Sequence, residues 1–111
     1  MNLVNLTPHE INVGVDGTRI AIPSDGNCRV SIKQVGIERL ILLSKSVPLM
    51  QNQYGNVEGL PEPKKDTIYI VSLMVLNALA GIRDDIIAPD SGTTAIREDG
   101  KIVAVSQFVR N

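Results

Sequence analysis

The chain has 111 residues, a length that fits one domain (1–111) with one hydrophobic core. Its 11 basic and 12 acidic residues give a formal charge of -1 and form no basic block, which argues against binding to duplex nucleic acid through bulk electrostatics. The single cysteine, Cys28, excludes an intramolecular disulfide, and with one histidine a Cys/His zinc site within one chain is not expected. We predict no metal and no cofactor.

The N-terminus lacks the basic flank and apolar segment of a signal peptide. No apolar run approaches the roughly 20 residues that a bilayer-spanning helix needs. We therefore expect a soluble protein of the cytoplasm without a membrane partner.

Hairpin signals dominate the first third of the chain. Residues 11–22 alternate apolar and polar side chains around Asp16-Gly17, a dipeptide that is typical of tight β-turns. The turn-forming residues 23–27 predict a loop, and renewed alternation over 28–33 predicts another strand. Few aromatic residues are present, so the core must be built from Ile, Leu and Val, which favours sheet over helix.

The middle of the chain is less regular. The run 37–43 fits a short helix or a buried strand, and the flanking Gly36 and Pro48 favour the strand. Residues 47–50 and Val57 suggest two short extended pieces around a polar turn at 51–56. The proline-containing segment 59–66 predicts a stiff connector.

The most apolar passage, 67–81, predicts a buried strand that leads directly into a short helix. Ser72 is the expected N-cap, residues 73–80 form the helix, and Gly81 follows its C-terminus. Such a helix is about 12 Å long and apolar on nearly all sides, so we expect sheet to cover one side and a second subunit the other.

The last third adds a strand at 85–88, whose pairing direction the sequence leaves open. It also adds a hairpin with strands at 95–97 and from Ile102 to Val109, joined by a turn at 98–101. The predicted class is α+β: a mostly antiparallel β-sheet with hairpins and one short buried helix, in an oligomer.

Two features suggest catalysis only weakly. Asp90-Ser91-Gly92-Thr93 resembles the Asp-Ser/Thr-Gly loop of retroviral-type aspartic proteases, but only 19 residues follow Gly92, whereas most of that fold follows its loop. A polar turn is the better interpretation. His9, between Pro8 and Glu10, has no second histidine or nucleophile motif to support base catalysis. We predict no catalytic residue.

A ligand-binding interpretation uses arginine, hydroxyl and aromatic side chains, the groups that recognise a nucleotide-like anion. The alternative is that these residues belong to solvated strand faces and an ordinary turn. The candidate residues are Arg29, Asp90, Ser91, Thr93, Thr94, Arg97, Phe108 and Arg110.

An ordered set of motifs spans the chain: Asn-Leu-Thr-Pro-His at 5–9, Val-Glu-Gly-Leu-Pro-Glu-Pro at 57–63, Thr-Ile-Tyr-Ile-Val-Ser at 67–72, Arg-Asp-Asp at 83–85 and Arg-Glu-Asp-Gly-Lys-Ile at 97–102. The set resembles a family of small phage and prophage proteins, which in turn looks similar to the family of Thoeris anti-defence protein 1. Members of that group bind and hold cyclic ADP-ribose isomers made by host TIR-domain enzymes, and some also bind cyclic oligonucleotides. They do not cleave the ligand.

The resemblance implies a mostly β subunit with a buried helix, assembled into dimers or higher homo-oligomers with ligand pockets at subunit boundaries. It implies phosphate contacts from arginines of an early strand and near the C-terminus, positions that Arg29 and Arg110 occupy here. The expected function is sequestration of a cyclic nucleotide, such as glycocyclic ADP-ribose, in the host cytoplasm. The alternatives are a small phage structural or interaction protein that assembles through its apolar helix and sheet edges, and a small hydrolase.

Overall fold

A computed structural model describes all 111 residues, Met1–Asn111, and confirms the α+β class with many strands and one short helix. No helix in it is both long enough and apolar enough to cross a bilayer. In chain order the elements are β1 (Asn2–Asn5), β2 (Ile11–Val15), β3 (Thr18–Ile22), β4 (Arg29–Leu42), β5 (Lys45–Glu58), β6 (Thr67–Ile70), α1 (Leu73–Ala78), β7 (Ile86–Pro89), β8 (Ile96–Glu98), β9 (Lys101–Ala104) and β10 (Phe108–Val109).

A four-stranded sheet in the order β1-β6-β7-β10 forms the centre of the molecule. β1 and β7 pair with β6 in parallel, whereas β10 pairs with β7 in the antiparallel sense. The strand predicted at 85–88 is therefore β7. Its pairing direction with β6, which the sequence left open, is parallel. β1 was not among the predicted strands; asparagines occupy both of its ends, and asparagine is depleted in strands.

Helix α1 connects β6 to β7 and is shorter than predicted. The Ser72 side chain caps it by accepting a hydrogen bond from the Val75 amide at 3.2 Å, as expected for the N-cap. The helix ends at Ala78 rather than Ala80, because the chain turns through Leu79 and reaches a left-handed φ of +78° at Gly81. Val75 and Leu76 are its buried residues.

The hydrophobic core is small: 14 of the 111 residues are buried, and 13 of these are hydrophobic. The core divides into two clusters that lie against the central sheet. The larger cluster contains Leu6, Cys28, Tyr69, Val71, Val75, Leu76, Ile86 and Ala88. The smaller cluster contains Ile11, Val13, Ile70 and Val105.

Both hairpins predicted at Asp-Gly dipeptides are present. Asp16-Gly17 joins β2 to β3, and Asp99-Gly100 joins β8 to β9, with positive φ at all four residues. The prediction of one continuous strand from Ile102 to Val109 is wrong, because β9 ends at Ala104 and the chain crosses to the central sheet before β10.

The third hairpin, β4–β5, is much longer than predicted, with 14 residues in each strand. The segment 37–43 was expected as a strand, and β4 runs through it to Leu42. The turn predicted at 51–56 is wrong, because Gln51, Asn52 and Gln53 pair with β4 and the chain reverses at Leu43-Ser44 instead. Ladder hydrogen bonds with β4 satisfy the backbone of this polar segment, so pairing overrides its preference for turns.

We call residues 29–58 the arm. It projects from the rest of the chain, here called the body. The arm gives the molecule a radius of gyration of 17.2 Å and extents of 53 × 38 × 20 Å. A compact chain of this length has a radius of gyration of about 13 Å. The molecule is therefore a small body with a long β-ribbon attached.

Candidate functional site

The loop after β7 is held in one conformation by Asp90. One carboxylate oxygen accepts a hydrogen bond from the Gly92 amide at 3.0 Å, and the other accepts one from Gln107 Nε2 at 2.8 Å. Ser106 Oγ ties the far side of the loop by donating to the Thr94 carbonyl at 2.7 Å. The exposed hydroxyls of Ser91 and Thr93 lie within this loop.

These contacts define the chemistry of Asp90. The Gly92 amide, followed by the Gln107 and Thr94 side chains, lowers the pKa of its carboxyl group by stabilising the charged form. Asp90 is therefore an ionised hydrogen-bond acceptor at neutral pH. The hydrogen bond from the Gly92 amide to Asp90 is the local contact of the polar turn predicted for this segment.

Arg97 and Phe108 lie on strands that flank this loop. Arg97 is an exposed residue of β8, and its Nη1 donates a long hydrogen bond of 3.4 Å to the Gly100 carbonyl. Phe108 begins β10 opposite Pro89, and its half-buried ring packs against the smaller core cluster. Packing therefore uses part of the ring that was predicted to stack on a ligand.

Arg110 lies at the other end of the β7–β10 ladder from Asp90. Because the two strands are antiparallel, residues beyond Val109 run towards the start of β7. There, Arg110 Nη2 is 3.5 Å from the Asp84 carbonyl oxygen, and no carboxylate lies within salt-bridge distance. Asp84 lines a cleft of about 450 Å³ together with Gly81, Ile82, Arg83 and Asn111.

Arg29 is an exposed residue at the base of the arm. It lines a cleft of about 260 Å³ together with Val30, Ser31, Asn56 and Glu58. Glu58 is its cross-strand partner, but the two side chains form no ion pair. The Arg29 guanidinium therefore has no carboxylate partner within the chain.

A half-buried ion pair between Arg83 and Asp85 was not recognised as a contact from the sequence. Two guanidinium nitrogens of Arg83 contact the two carboxylate oxygens of Asp85 at 2.7 Å each, and Arg83 also donates to the Pro61 carbonyl at 3.0 Å. The hydrogen bond from Arg83 lowers the pKa of Asp85 and raises that of Arg83. Arg83 thus links the 59–66 connector to the start of β7. The Arg-Asp-Asp motif was the only sequence signal of this ion pair.

Cys28 and His9 are the remaining side chains with reactive groups. The Cys28 thiol is buried in the larger core cluster, and burial raises its pKa, with partial opposition from the Arg83 charge. A raised pKa keeps the thiol protonated and unreactive. His9 is exposed, and only its backbone carbonyl takes part in a hydrogen bond.

The candidate residues therefore occupy three places in one chain: the loop with its flanking strands, the cleft near the C-terminus, and the base of the arm. No protein-family model matches the sequence, and searches of curated proteins and of solved structures return no significant match.

Proposed function

We propose that the protein binds a cyclic nucleotide immune signal and holds it without cleaving it, as a phage-encoded anti-defence protein acting in the host cytoplasm. The ligand proposed is glycocyclic ADP-ribose, with cyclic oligonucleotides as further candidates. The observation that carries the proposal is that Arg29 and Arg110, the two residues matched to phosphate contacts, each lie beside a cleft and lack a carboxylate partner.

An unpaired guanidinium is suited to this task because its planar fork can bind two oxygens of one phosphate. Two other arginines of the body are less available, whereas Arg97, like Arg29 and Arg110, has no carboxylate partner. Arg19 pairs with Glu98 at 2.7 Å, and Arg83 pairs with Asp85. A phosphate at either of these positions would have to displace a carboxylate.

The separation of the candidate residues supports a pocket between subunits. Arg29 lines a cleft that contains no residue of the Asp90–Thr94 loop, and no cleft of the single chain contains both. A second copy is therefore the proposed source of the remaining pocket residues. We therefore propose a homodimer or a higher homo-oligomer as the binding form. Sequestration needs a dissociation constant well below the signal concentration, so nanomolar affinity, about -12 kcal/mol, is the scale required.

The proposal can be tested by calorimetry of the purified protein with glycocyclic ADP-ribose. Chromatography of the mixture then shows whether the ligand has been altered. Binding heat with recovery of the unchanged ligand is the expected result. Absence of heat at micromolar protein would reject glycocyclic ADP-ribose as the ligand, and recovery of an altered ligand would instead favour a hydrolase.

We expect Arg29→Ala and Arg110→Ala each to weaken binding at least about tenfold, because each removes one charge-assisted phosphate contact. Neither arginine supports the fold through an ion pair, so the melting temperature should change little. Arg19→Ala is the matched control, since it removes an exposed arginine that is already paired with Glu98. Wild-type affinity in both test variants would show that the site lies elsewhere.

A second candidate function is assembly as a small phage structural or interaction protein, and the long arm favours it. Such a protein shares the oligomer with the first proposal but has no ligand. Calorimetry separates the two, because only the first predicts binding heat.

A further inference from the structure

The arm carries an unusual amount of exposed apolar surface. Leu42 and Ile41 expose 57% and 71% of their surfaces, and Leu43 at the tip exposes 96%. A two-stranded hairpin without a further layer is marginally stable in water. Large exposed apolar patches mark interaction surfaces. The exposed large apolar residues of the arm are Ile32, Ile37, Leu40, Ile41, Leu42, Leu43, Val47, Met50 and Tyr54.

Both faces of the arm carry apolar side chains, interspersed with polar ones. Cross-strand partners share a face and successive pairs alternate between faces, so the strand register assigns each residue to one side. Ile32, Tyr54, Met50 and Ile41 lie on one face. The opposite face carries Val35, Leu49, Leu40, Val47 and Leu42, after the bulge at Ile37 shifts the alternation. One covering layer would leave half of this surface in water.

The accessible surface of the whole chain exceeds that of a compact protein of its mass. The accessible surface is 7765 Å². A compact protein of 12.0 kDa exposes about 6,000 Å², so the excess is about 1,800 Å² per chain. A standard interface buries about 800 Å² on each partner, and permanent homodimers bury more. The excess is thus of the size that a permanent homodimer covers.

The charges of the arm and the body are complementary. The arm has a formal charge of +2, and since the whole chain carries -1, the body carries -3. An arm laid on the body of an identical chain would bring opposite charges together, and a two-fold axis would make the contact reciprocal. The charged residues of the arm are Arg29, Lys33, Arg39 and Lys45, against Glu38 and Glu58.

From these observations we infer that the arm is an interchain clasp: in a two-fold homodimer each arm lies on the body of the second copy, and the two arms cover each other's remaining apolar face. This arrangement buries both faces of each arm and uses the charge difference between arm and body. It requires no ligand, so it is independent of the proposed function.

Light scattering at micromolar protein concentration tests the clasp. The wild-type mass is compared with the masses of variants that carry one charge substitution on either face of the arm. Wild type should have twice the chain mass or an even multiple of it. Ile41→Glu and Leu42→Glu, on opposite faces, should each reduce the mass to that of one chain.

A shortened arm provides a test that adds no charge. Gly36 and Met50 are cross-strand partners, so an Asn-Gly turn can replace residues 37–49 and close the hairpin there. This variant should be a folded single chain by circular dichroism and light scattering. A wild-type protein of single-chain mass, or an unchanged mass in either charge variant or in the shortened variant, would overturn the clasp. Calorimetry with the nucleotide is a separate measurement, so failure of the clasp and failure of nucleotide binding are distinguishable.

Discussion

At the residue scale, Asn5 is the polar side chain on which the first part of the fold depends most. It is completely buried at the end of β1. Its Nδ2 donates to the carbonyls of His9 at 2.9 Å and Ile22 at 3.1 Å, while its Oδ1 accepts from the amide and hydroxyl of Thr7 at 3.0 and 2.6 Å. These four contacts use the full donor and acceptor capacity of the amide and join β1 to the following turn and to the end of β3.

We predict that Asn5→Ala lowers the free energy of unfolding by about 3 kcal/mol, because it removes four hydrogen bonds and leaves partly buried backbone groups without these partners. Asn2→Ala is the matched control: Asn2 is an exposed residue of the same strand, and its loss should cost less than about 0.5 kcal/mol. Urea unfolding of the two variants measures the difference. Equal losses would show that the buried network contributes no more than the strand itself.

The candidate residues differ in how far the sequence could predict them. The Asp90 segment was predicted as a polar turn, and the structure confirms it, because the Asp-Ser-Gly order carries its own local hydrogen bond. Asn5 was not predictable as a buried residue. One of its hydrogen bonds is to the Ile22 carbonyl, 17 residues away, and no local pattern encodes that contact.

At the element scale, the hairpins differ in whether their turns carry a local sequence signal. Asp16-Gly17 and Asp99-Gly100 supply the positive φ angles that tight turns need, so both turns were predicted. Leu43-Ser44 has no such signal, although it too adopts positive φ at both residues. The long ladder between β4 and β5 offsets the local strain there, and a ladder is a non-local interaction that composition does not reveal.

The base of the arm contains a glycine that we expect to be indispensable. Gly59 has φ of +87°, and a Cβ atom at this position would lie 2.6 Å from the Asn27 carbonyl oxygen. Gly17 is the matched control, because its φ of +77° is similar but a Cβ atom would meet nothing within 4 Å. Gly59→Ala combines conformational strain with a backbone clash, whereas Gly17→Ala introduces the strain alone.

We therefore predict that Gly17→Ala costs about 1 kcal/mol of unfolding free energy and that Gly59→Ala costs at least about 2 kcal/mol more. Chemical denaturation of both variants at the same protein concentration provides the comparison, since an oligomer's stability depends on concentration. A Gly59→Ala protein as stable as the Gly17→Ala protein would show that the arm base can shift to accept the methyl group.

At the scale of the whole molecule, the predicted strand and helix content was largely right, but the shape was not foreseen. The apolar run 37–43 was expected to be buried, because apolar side chains are stabilised by removal from water. Hydrophobicity does not indicate whether the same chain or a second chain buries them. In one chain most of these side chains are exposed. The prediction of an oligomer stays a prediction, now with the arm as the surface on which it can be tested.

The two proposals can be linked in one experiment. If the nucleotide binds between subunits, it binds the oligomer and not the single chain, so ligand at about 100 times its Kd should stabilise assembly by about 2.7 kcal/mol per site. Met50→Ala removes half-exposed apolar surface from one face of the arm and should give an oligomer weak enough to dissociate on dilution. In sedimentation velocity, glycocyclic ADP-ribose should restore the oligomer mass of the Met50→Ala variant. It should not do so in a variant that also carries Arg29→Ala and Arg110→Ala. Binding heat without any change in mass would show that the pocket lies within one chain, because a ligand shifts an equilibrium only through its differential affinity for the two states.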